Sequence, residues 1–254
     1  MKKAAIWVLS VLALVLLFAF TSPIPQDPAY YLFADNLAKL SVPNFWNVAS
    51  NVPYAFIGVW GLMVVFRIGQ RQNFILRDAY GVFFVGVFLT AFGSGYFHYD
   101  PGHSTLFWDR LPMTISFAGL FSVVIGETNS PEAGRRWLPA FLLIGLTSVL
   151  YWQWTEARGM GDLRPYAIVQ FLPMILVPVM LLTGKRENTV APTIWFMIGT
   201  YVVAKLLEHF DTEVFALPGM LSGHTLKHFV SALGPAALAY VLGRGIERER
   251  SQTP

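Results

Sequence analysis

Residues 79–98 read Ala-Tyr-Gly-Val-Phe-Phe-Val-Gly-Val-Phe-Leu-Thr-Ala-Phe-Gly-Ser-Gly-Tyr-Phe-His. No side chain in this stretch carries a formal charge at neutral pH, and its one imidazole, His98, stands at the end. About 20 mostly apolar residues is the length at which an α-helix crosses the ~30 Å hydrocarbon core of a bilayer. The stretch therefore predicts a membrane-spanning helix that ends in a polar group. Seven more runs follow the same reading: Ala4–Phe20, Phe45–Phe66, Leu106–Gly126, Trp137–Trp154, Tyr166–Leu182, Thr193–Leu207 and Leu221–Leu242. They are continuous and exceed the ~10-residue alternating segments of a membrane β-barrel, so helices are predicted.

Composition agrees. Of 254 residues, 55% are hydrophobic and 13% charged, about half the ~25% charge of a soluble domain. Such a chain cannot coat a globule with charge, and it is too apolar for intrinsic disorder. The absence of Cys excludes a disulfide scaffold, thiolate metal sites and a Cys nucleophile. The net charge is +3, but the basic residues are spread out, so no nucleic-acid partner is expected. The 15% aromatic residues suit a lipid-lined cavity and, more simply, interfacial belts.

Lys and Arg set the expected orientation. With a cytoplasmic N-terminus, the inner segments hold Lys2, Lys3, Arg67, Arg71, Arg77, Arg135, Arg136, Lys185, Arg186, Arg244, Arg248 and Arg250, twelve of the eighteen basic residues. Both termini are then cytoplasmic, as in a multi-pass bacterial inner-membrane protein. Ala4–Phe20 after Lys2-Lys3 also resembles a signal peptide, but it lacks a clear small-x-small cleavage site, so a retained helix is the preferred reading. Pro53, Pro112, Pro139, Pro173, Pro178 and Pro235 read as helix kinks. Arg244–Pro254 reads as a short disordered polar tail.

Against this background the ionisable groups stand out, since each is costly at membrane depth. Ser94 and His98 are four apart and share a helix face. Asp109-Arg110 opens the fourth run, and His224 and His228 share a face of the last. All lie at the outer ends of their helices. Two imidazoles at i and i+4 can hold one metal ion; His98 is the third candidate, and an open fourth position would make a catalytic Zn²⁺ site. Asp109 is then the candidate general base and acid, and Ser94 a donor to water or to a developing oxyanion. His103, in a Pro-Gly loop, reads as solvated, His209 as a helix-end residue, and Asp109-Arg110 alternatively as an interfacial ion pair. An HxxxH pair is also common without any metal.

Phe45-Trp46-Asn47-Val48-Ala49-Ser50-Asn51-Val52-Pro53, then Gly93-Ser94-x-x-Phe97-His98, Asp109 and Gly223-His224-x-x-x-His228, taken in order, resemble the alkaline ceramidase family. That family belongs to a superfamily of seven-helix membrane hydrolases that includes the adiponectin receptors. Gly161–Tyr166 and the Lys205-x-x-Glu208 pair look like its bacterial branch. The resemblance implies an all-α membrane protein, a seven-transmembrane-helix bundle over residues 23–243. An extra N-terminal hydrophobic helix (1–22) and a polar cytoplasmic tail (244–254) flank it. It implies zinc held by His98, His224 and His228, with Asp109 and Ser94 catalytic, and hydrolysis of the N-acyl amide of ceramide or another N-acyl lipid. Relatives in animals carry an acid-rich calcium site. Here Asp35 and Asn44 alone could supply oxygens, against the six to eight that Ca²⁺ takes, and they read more simply as residues that cap or hydrogen-bond the second helix. Two other functions stay open: a receptor or sensor with a structural zinc site, and a transporter with a His/Asp proton relay.

Overall fold

A computed structural model of the chain describes residues 16, 18, 20–70, 74–184, 189–219 and 221–252. Among these residues every regular element is helical and no strand forms. A 3₁₀ turn at Pro28–Tyr31 precedes α1 (Phe45–Ala49), α2 (Val52–Gly69), α3 (Arg77–Tyr99), α4 (His103–Thr128) and α5 (Pro131–Glu156). Then come α6 (Arg164–Thr183), α7 (Ala191–His209), the single turn α8 (Asp211–Phe215) and α9 (Gly223–Gln252). Five helical stretches are long and apolar enough to cross a membrane: Phe45–Gly69 (α1 and α2 together), α3, α4, α6 and Gly223–Gly245 of α9. The protein is an integral, multi-pass membrane protein. The other two long helices, α5 and α7, overlie the expected runs Trp137–Trp154 and Thr193–Leu207 and carry Arg135, Arg136 and Glu156 in one and Lys205 and Glu208 in the other.

Three expectations meet a different outcome. The run Phe45–Phe66 is broken at Ser50-Asn51. Pro53 therefore sits in the first turn of α2, where its missing N–H leaves no bond unmade, and is not a kink. The other five prolines do lie inside helices. The tail is not free coil either: α9 continues to Gln252. The first run, Ala4–Phe20, lies outside the described residues apart from Leu16, Phe18 and Phe20, as do Lys2, Lys3, Arg71, Lys185 and Arg186.

Large apolar side chains such as Phe56, Phe92, Ile175 and Leu182 face outward, the surface expected of a chain whose solvent is lipid. Inward burial is then not enough to hold helices together, and close backbone approach takes over. α3 and α4 form a hairpin across Asp100–Gly102 and meet along a seam of glycines seven residues apart. A Cβ on Gly86 would lie 2.4 Å from Ser116 Oγ, and one on Gly93 2.0 Å from the Trp108 carbonyl oxygen. This crossing sets Ser94 and His98 beside the start of α4, where Asp109 stands. α9 packs on α2 and α7, and α6 on α4 and α5.

Gly93→Ala puts a methyl group where the Trp108 carbonyl already sits. It is expected to destabilise the fold by about 1–3 kcal/mol, read as a lower unfolding midpoint in detergent by tryptophan fluorescence; an unchanged midpoint would remove the seam from its role.

Candidate metal centre and cavity

His98 occupies the last turn of α3, and His224 and His228 the first two turns of α9. Their relative exposures are 1%, 5% and 4%. One nitrogen from each ring can be chosen so that all three lie within 4.8 Å of one another, and the ring centroids are 4.7, 4.9 and 5.2 Å apart. His98 Nε2 and His224 Nε2 are 3.3 Å apart. Nitrogens bound at 2.0–2.1 Å to one tetrahedral ion are separated by about 3.3–3.4 Å, so the pair already has the spacing of two ligands on a single ion. Three buried imidazoles without a carboxylate among them suit a borderline divalent metal.

Neighbouring backbone fixes the trio. Gly223 opens α9 against α7, where a Cβ would meet the Leu207 carbonyl oxygen at 2.2 Å. Asp211 Oδ1 accepts from the His224 N–H at 2.7 Å, and Oδ2 from the Ala34 N–H at 3.0 Å. Asn44 Nδ2 donates to the His98 carbonyl at 2.9 Å, and Thr225 Oγ1 donates to Asn47 Oδ1 at 2.8 Å.

The hydrogen-bond partners of Ser50 favour one tautomer of His228. The Ser50 hydroxyl lies 3.1 Å from the Asn47 carbonyl and 2.7 Å from His228 Nδ1. A carbonyl can only accept, so the single hydroxyl proton goes to Asn47 and the Ser50 oxygen accepts from Nδ1–H. His228 Nε2 is then left with a free lone pair, the state a ligand needs. His98 Nδ1 has no hydrogen-bond partner among the described residues.

Beside the trio lies a cavity of about 630 Å³, lined by Ser94, Asp109 and His228 among others. Ser94 stands beside the Asp109 carboxylate, and both line the cavity. The structure thus brings Ser94, Asp109 and His228 to one cavity, with His98 and His224 behind His228. The lining changes character with depth. On α4 it runs from Asp109 through Met113 and Phe117 to Phe121, about 18 Å at 1.5 Å per residue. On α7, which runs the opposite way, Glu208 and Lys205 stand at the Asp109 level and Met197 and Ile194 at the far one. One end is polar and the other apolar.

The remaining candidates are placed as follows. Asp35 is buried, but its Oδ1 accepts from the Leu37 N–H and its carbonyl from Asn47 Nδ2. Asn44 has a left-handed backbone (φ 46°) and makes no side-chain cap of α1, its amide being spent on His98. These two residues therefore brace the trio's surroundings. His103 begins α4 half-buried, with its ring 4.7 Å from that of Trp152. His209 is exposed at the end of α7. Arg110 is no ion-pair partner of Asp109; its guanidinium stacks over Trp152 and Tyr166.

Sequence reasoning missed Ser50, Asp211 and the segment from Ile24 to Phe33. That segment lies across the polar end. The Ile24 carbonyl accepts from the Leu163 N–H at 2.8 Å, and the Gln26 N–H donates to the Glu156 carboxylate. The Phe33 ring covers His98 and His224 at 4.9 and 4.7 Å. Burial holds the Tyr30 phenol well above its ordinary pKa, so it stays a neutral ring. At the start of α6, the Arg164 guanidinium hydrogen-bonds both Asp162 oxygens at 2.8 Å and holds that carboxyl below the usual range. This contribution to stability is present above the ordinary carboxylate range and lost as pH falls through the depressed value.

Helices that cross a membrane and a buried cluster of three histidines that could hold a metal ion define the class: a polytopic membrane protein with a candidate metal centre at one end of its bundle. A family model described as Ceramidase matches residues 37–210. The chain belongs to the ceramidase family, whose members are hydrolases of the amide bond in lipids. The matched stretch contains Ser94, His98 and Asp109 and stops short of His224. No curated protein matches the chain.

Ser50→Ala removes the acceptor that fixes the His228 tautomer. Loss of such an outer partner is expected to weaken divalent-metal affinity about 10- to 100-fold, measured by competition with a chromophoric chelator; an unchanged affinity would show that Ser50 does not orient the ring.

Proposed function

We propose that the protein is a zinc-dependent amidase that hydrolyses the N-acyl amide bond of ceramide-like lipids. The observation that carries this reading is the cavity, with Asp109, Ser94 and His228 at one end and an apolar floor running away from them. An N-acyl lipid has matching polarity, with a polar amide and head next to a long acyl chain. The chain seats along Phe117, Phe121 and Met197, and the scissile carbonyl comes to the level of Asp109. Burial of the chain in a cavity of this kind supplies affinity at about 25 cal/mol per Å² of apolar surface removed from water.

His98, His224 and His228 would hold the metal, which when bound supplies Lewis acidity and a water that ionises near neutral pH. Asp109 takes a proton from the attacking water and returns it to the amide nitrogen as the C–N bond breaks. The hydroxyl oxygen ends in the fatty acid, and the proton leaves on the amine of the sphingoid base. Ser94 donates toward the charge that develops on the carbonyl oxygen and keeps Asp109 in register. Phe33 and the Tyr30 turn exclude bulk water, which strengthens both interactions.

We further propose seven membrane crossings from α1–α2 onward, with α5 and α7 included. The basic loops support an orientation with the α4–α5 link cytoplasmic and the site on the outer, periplasmic side. A reporter fused after Thr128 is then cytoplasmic and one at Gly102 external; the reverse labelling would sink this orientation.

Purified protein is expected to carry about one zinc per chain and to release fatty acid from ceramide-like lipids. Asp109→Asn is expected to lower kcat by at least 10²-fold, the scale of a lost general base, while zinc stays bound. Retained function after Asp109→Asn would instead favour a receptor or sensor with a structural metal. Because the ligands must be neutral imidazoles, dialysis at pH 4 should strip the metal, and full retention would count against three histidine ligands.

A further inference from the structure

The Lys205-x-x-Glu208 pair of α7 is joined by a third charge from α9. Glu208 Oε2 accepts from the Lys205 ammonium at 2.6 Å, and Oε1 accepts from that of Lys227. All three side chains line the polar end of the cavity, and Lys227 directly precedes His228. Burying an ion pair adds little stability, because desolvation offsets much of the attraction. Three charges kept at membrane depth therefore call for a function.

The triad is not sealed. The side-chain exposures are 37% for Lys205, 17% for Glu208 and 15% for Lys227, so each keeps surface at the cavity wall. An ammonium carries three donors. Each lysine gives one to Glu208 and has no other hydrogen-bond partner among the described residues. A carboxylate oxygen that accepts once still has a lone pair to offer. Donors and acceptors thus stand side by side. An anion would be repelled by Glu208 and a cation by the lysines, whereas a hydroxyl group donates to one and accepts from the other. The charge of the lining agrees. Arg110, Lys205 and Lys227 are matched by Asp27, Asp109 and Glu208, which suits a neutral polar ligand.

We infer that Lys205, Glu208 and Lys227 form the subsite that reads the hydroxyl groups on the long-chain base of a ceramide-like lipid. The inference rests on the amidase reading and assigns its head-group contacts. In such a lipid the two hydroxyls stand on the carbons that flank the one bearing the amide nitrogen. Whatever binds them must lie beside the scissile bond, as the triad does. Each hydroxyl accepts from one ammonium and donates to one Glu208 oxygen, while the amide carbonyl sits at Asp109 and the acyl chain runs toward Phe117 and Phe121. A site built in this way is left with unpaired polar groups when the hydroxyl is missing, and so discriminates against the analogue that lacks it.

The test compares three amides that share a lauroyl chain and a saturated base of one length. N-lauroylsphinganine has both hydroxyls, N-lauroyl-1-deoxysphinganine has one and N-lauroyl-2-aminooctadecane has none. With the zinc-loaded full chain in mixed micelles at equal lipid mole fraction, kcat/KM is expected to fall at least tenfold from the first to the last, the scale of a lost hydrogen bond to a charged group. Lys205→Met and Glu208→Gln should each bring that ratio toward one by slowing cleavage of the diol alone, with zinc content unchanged. Equal kcat/KM on all three amides in the unaltered protein overturns the subsite, and that outcome needs no variant to fold. A ratio that both variants leave unchanged overturns it too, and a loss uniform across the three amides would assign the triad to holding α7 against α9 instead. Where Glu208→Gln does not fold, Lys205→Met, at the most exposed member, decides. If no amide is cleaved, the amidase reading fails, and equilibrium binding of the same lipids, followed by tryptophan fluorescence, still decides on the subsite: tighter, Lys205-dependent binding of the diol supports it, and equal binding overturns it.

Discussion

Every polar atom placed at membrane depth must find its partner within the protein, because the lipid offers none. The three imidazoles bring this constraint to a point. His228 leans on Ser50, the His224 backbone on Asp211, the His98 carbonyl on Asn44, and Thr225 on Asn47. Four of these supports come from two short stretches, residues 44–50 and Asp211. The interruption between α1 and α2 is part of this arrangement. A continuous helix would carry Asn47 and Ser50 through regular turns, whereas the break at Ser50-Asn51 leaves Asn47 O free to take both the Ser50 hydroxyl and Asn51 Nδ2.

The cavity's polarity follows from helix direction. α3 and α7 end where α4, α6 and α9 begin, so each contributes a terminal turn to the same level and an interior to the next. Terminal turns of membrane helices tolerate Asp, Glu, Lys and His, because they lie near the interface; interiors do not. Stacking five such helices with their termini level produces a polar mouth over an apolar shaft without any special arrangement of individual residues. The glycine seam between α3 and α4 refines the level, because it fixes Ser94 against the turn that bears Asp109.

The same reasoning explains what could be read from the sequence. Ser94, His98, Asp109, His224 and His228 were conspicuous because they interrupt apolar runs, and the three imidazoles among them do lie together. Ser50 was not, since a serine among Asn47, Val48 and Ala49 looks like a small packing residue until His228 is set beside it from 178 positions away. Asp211 carried no such signal, because the His224 N–H that it accepts from lies 13 positions further on. The ion pair that Asp109-Arg110 offered as an alternative does not form, since consecutive residues on a helix point about 100° apart. The break ahead of Pro53 was hidden because proline inside an apolar run is equally compatible with a kink and with a first turn.

The segment from Ile24 to Phe33 connects these features. It covers the metal candidates with Phe33, completes the aromatic surround of Arg110 with Tyr30, and supplies Gln26 to that guanidinium. A buried cation and three buried imidazoles at one end of the bundle would be hydrated if this segment lifted, and the low dielectric around them would be lost with it. Its anchors are hydrogen bonds to Glu156 and Leu163, each with a net worth of about 0.5–1.5 kcal/mol, or more where the acceptor is charged, and the packing of Tyr30, Tyr31 and Phe33 on Phe97. Because Tyr30, Tyr31 and Phe33 pack on the buried Phe97, the segment closes the site against water as part of the bundle's own core.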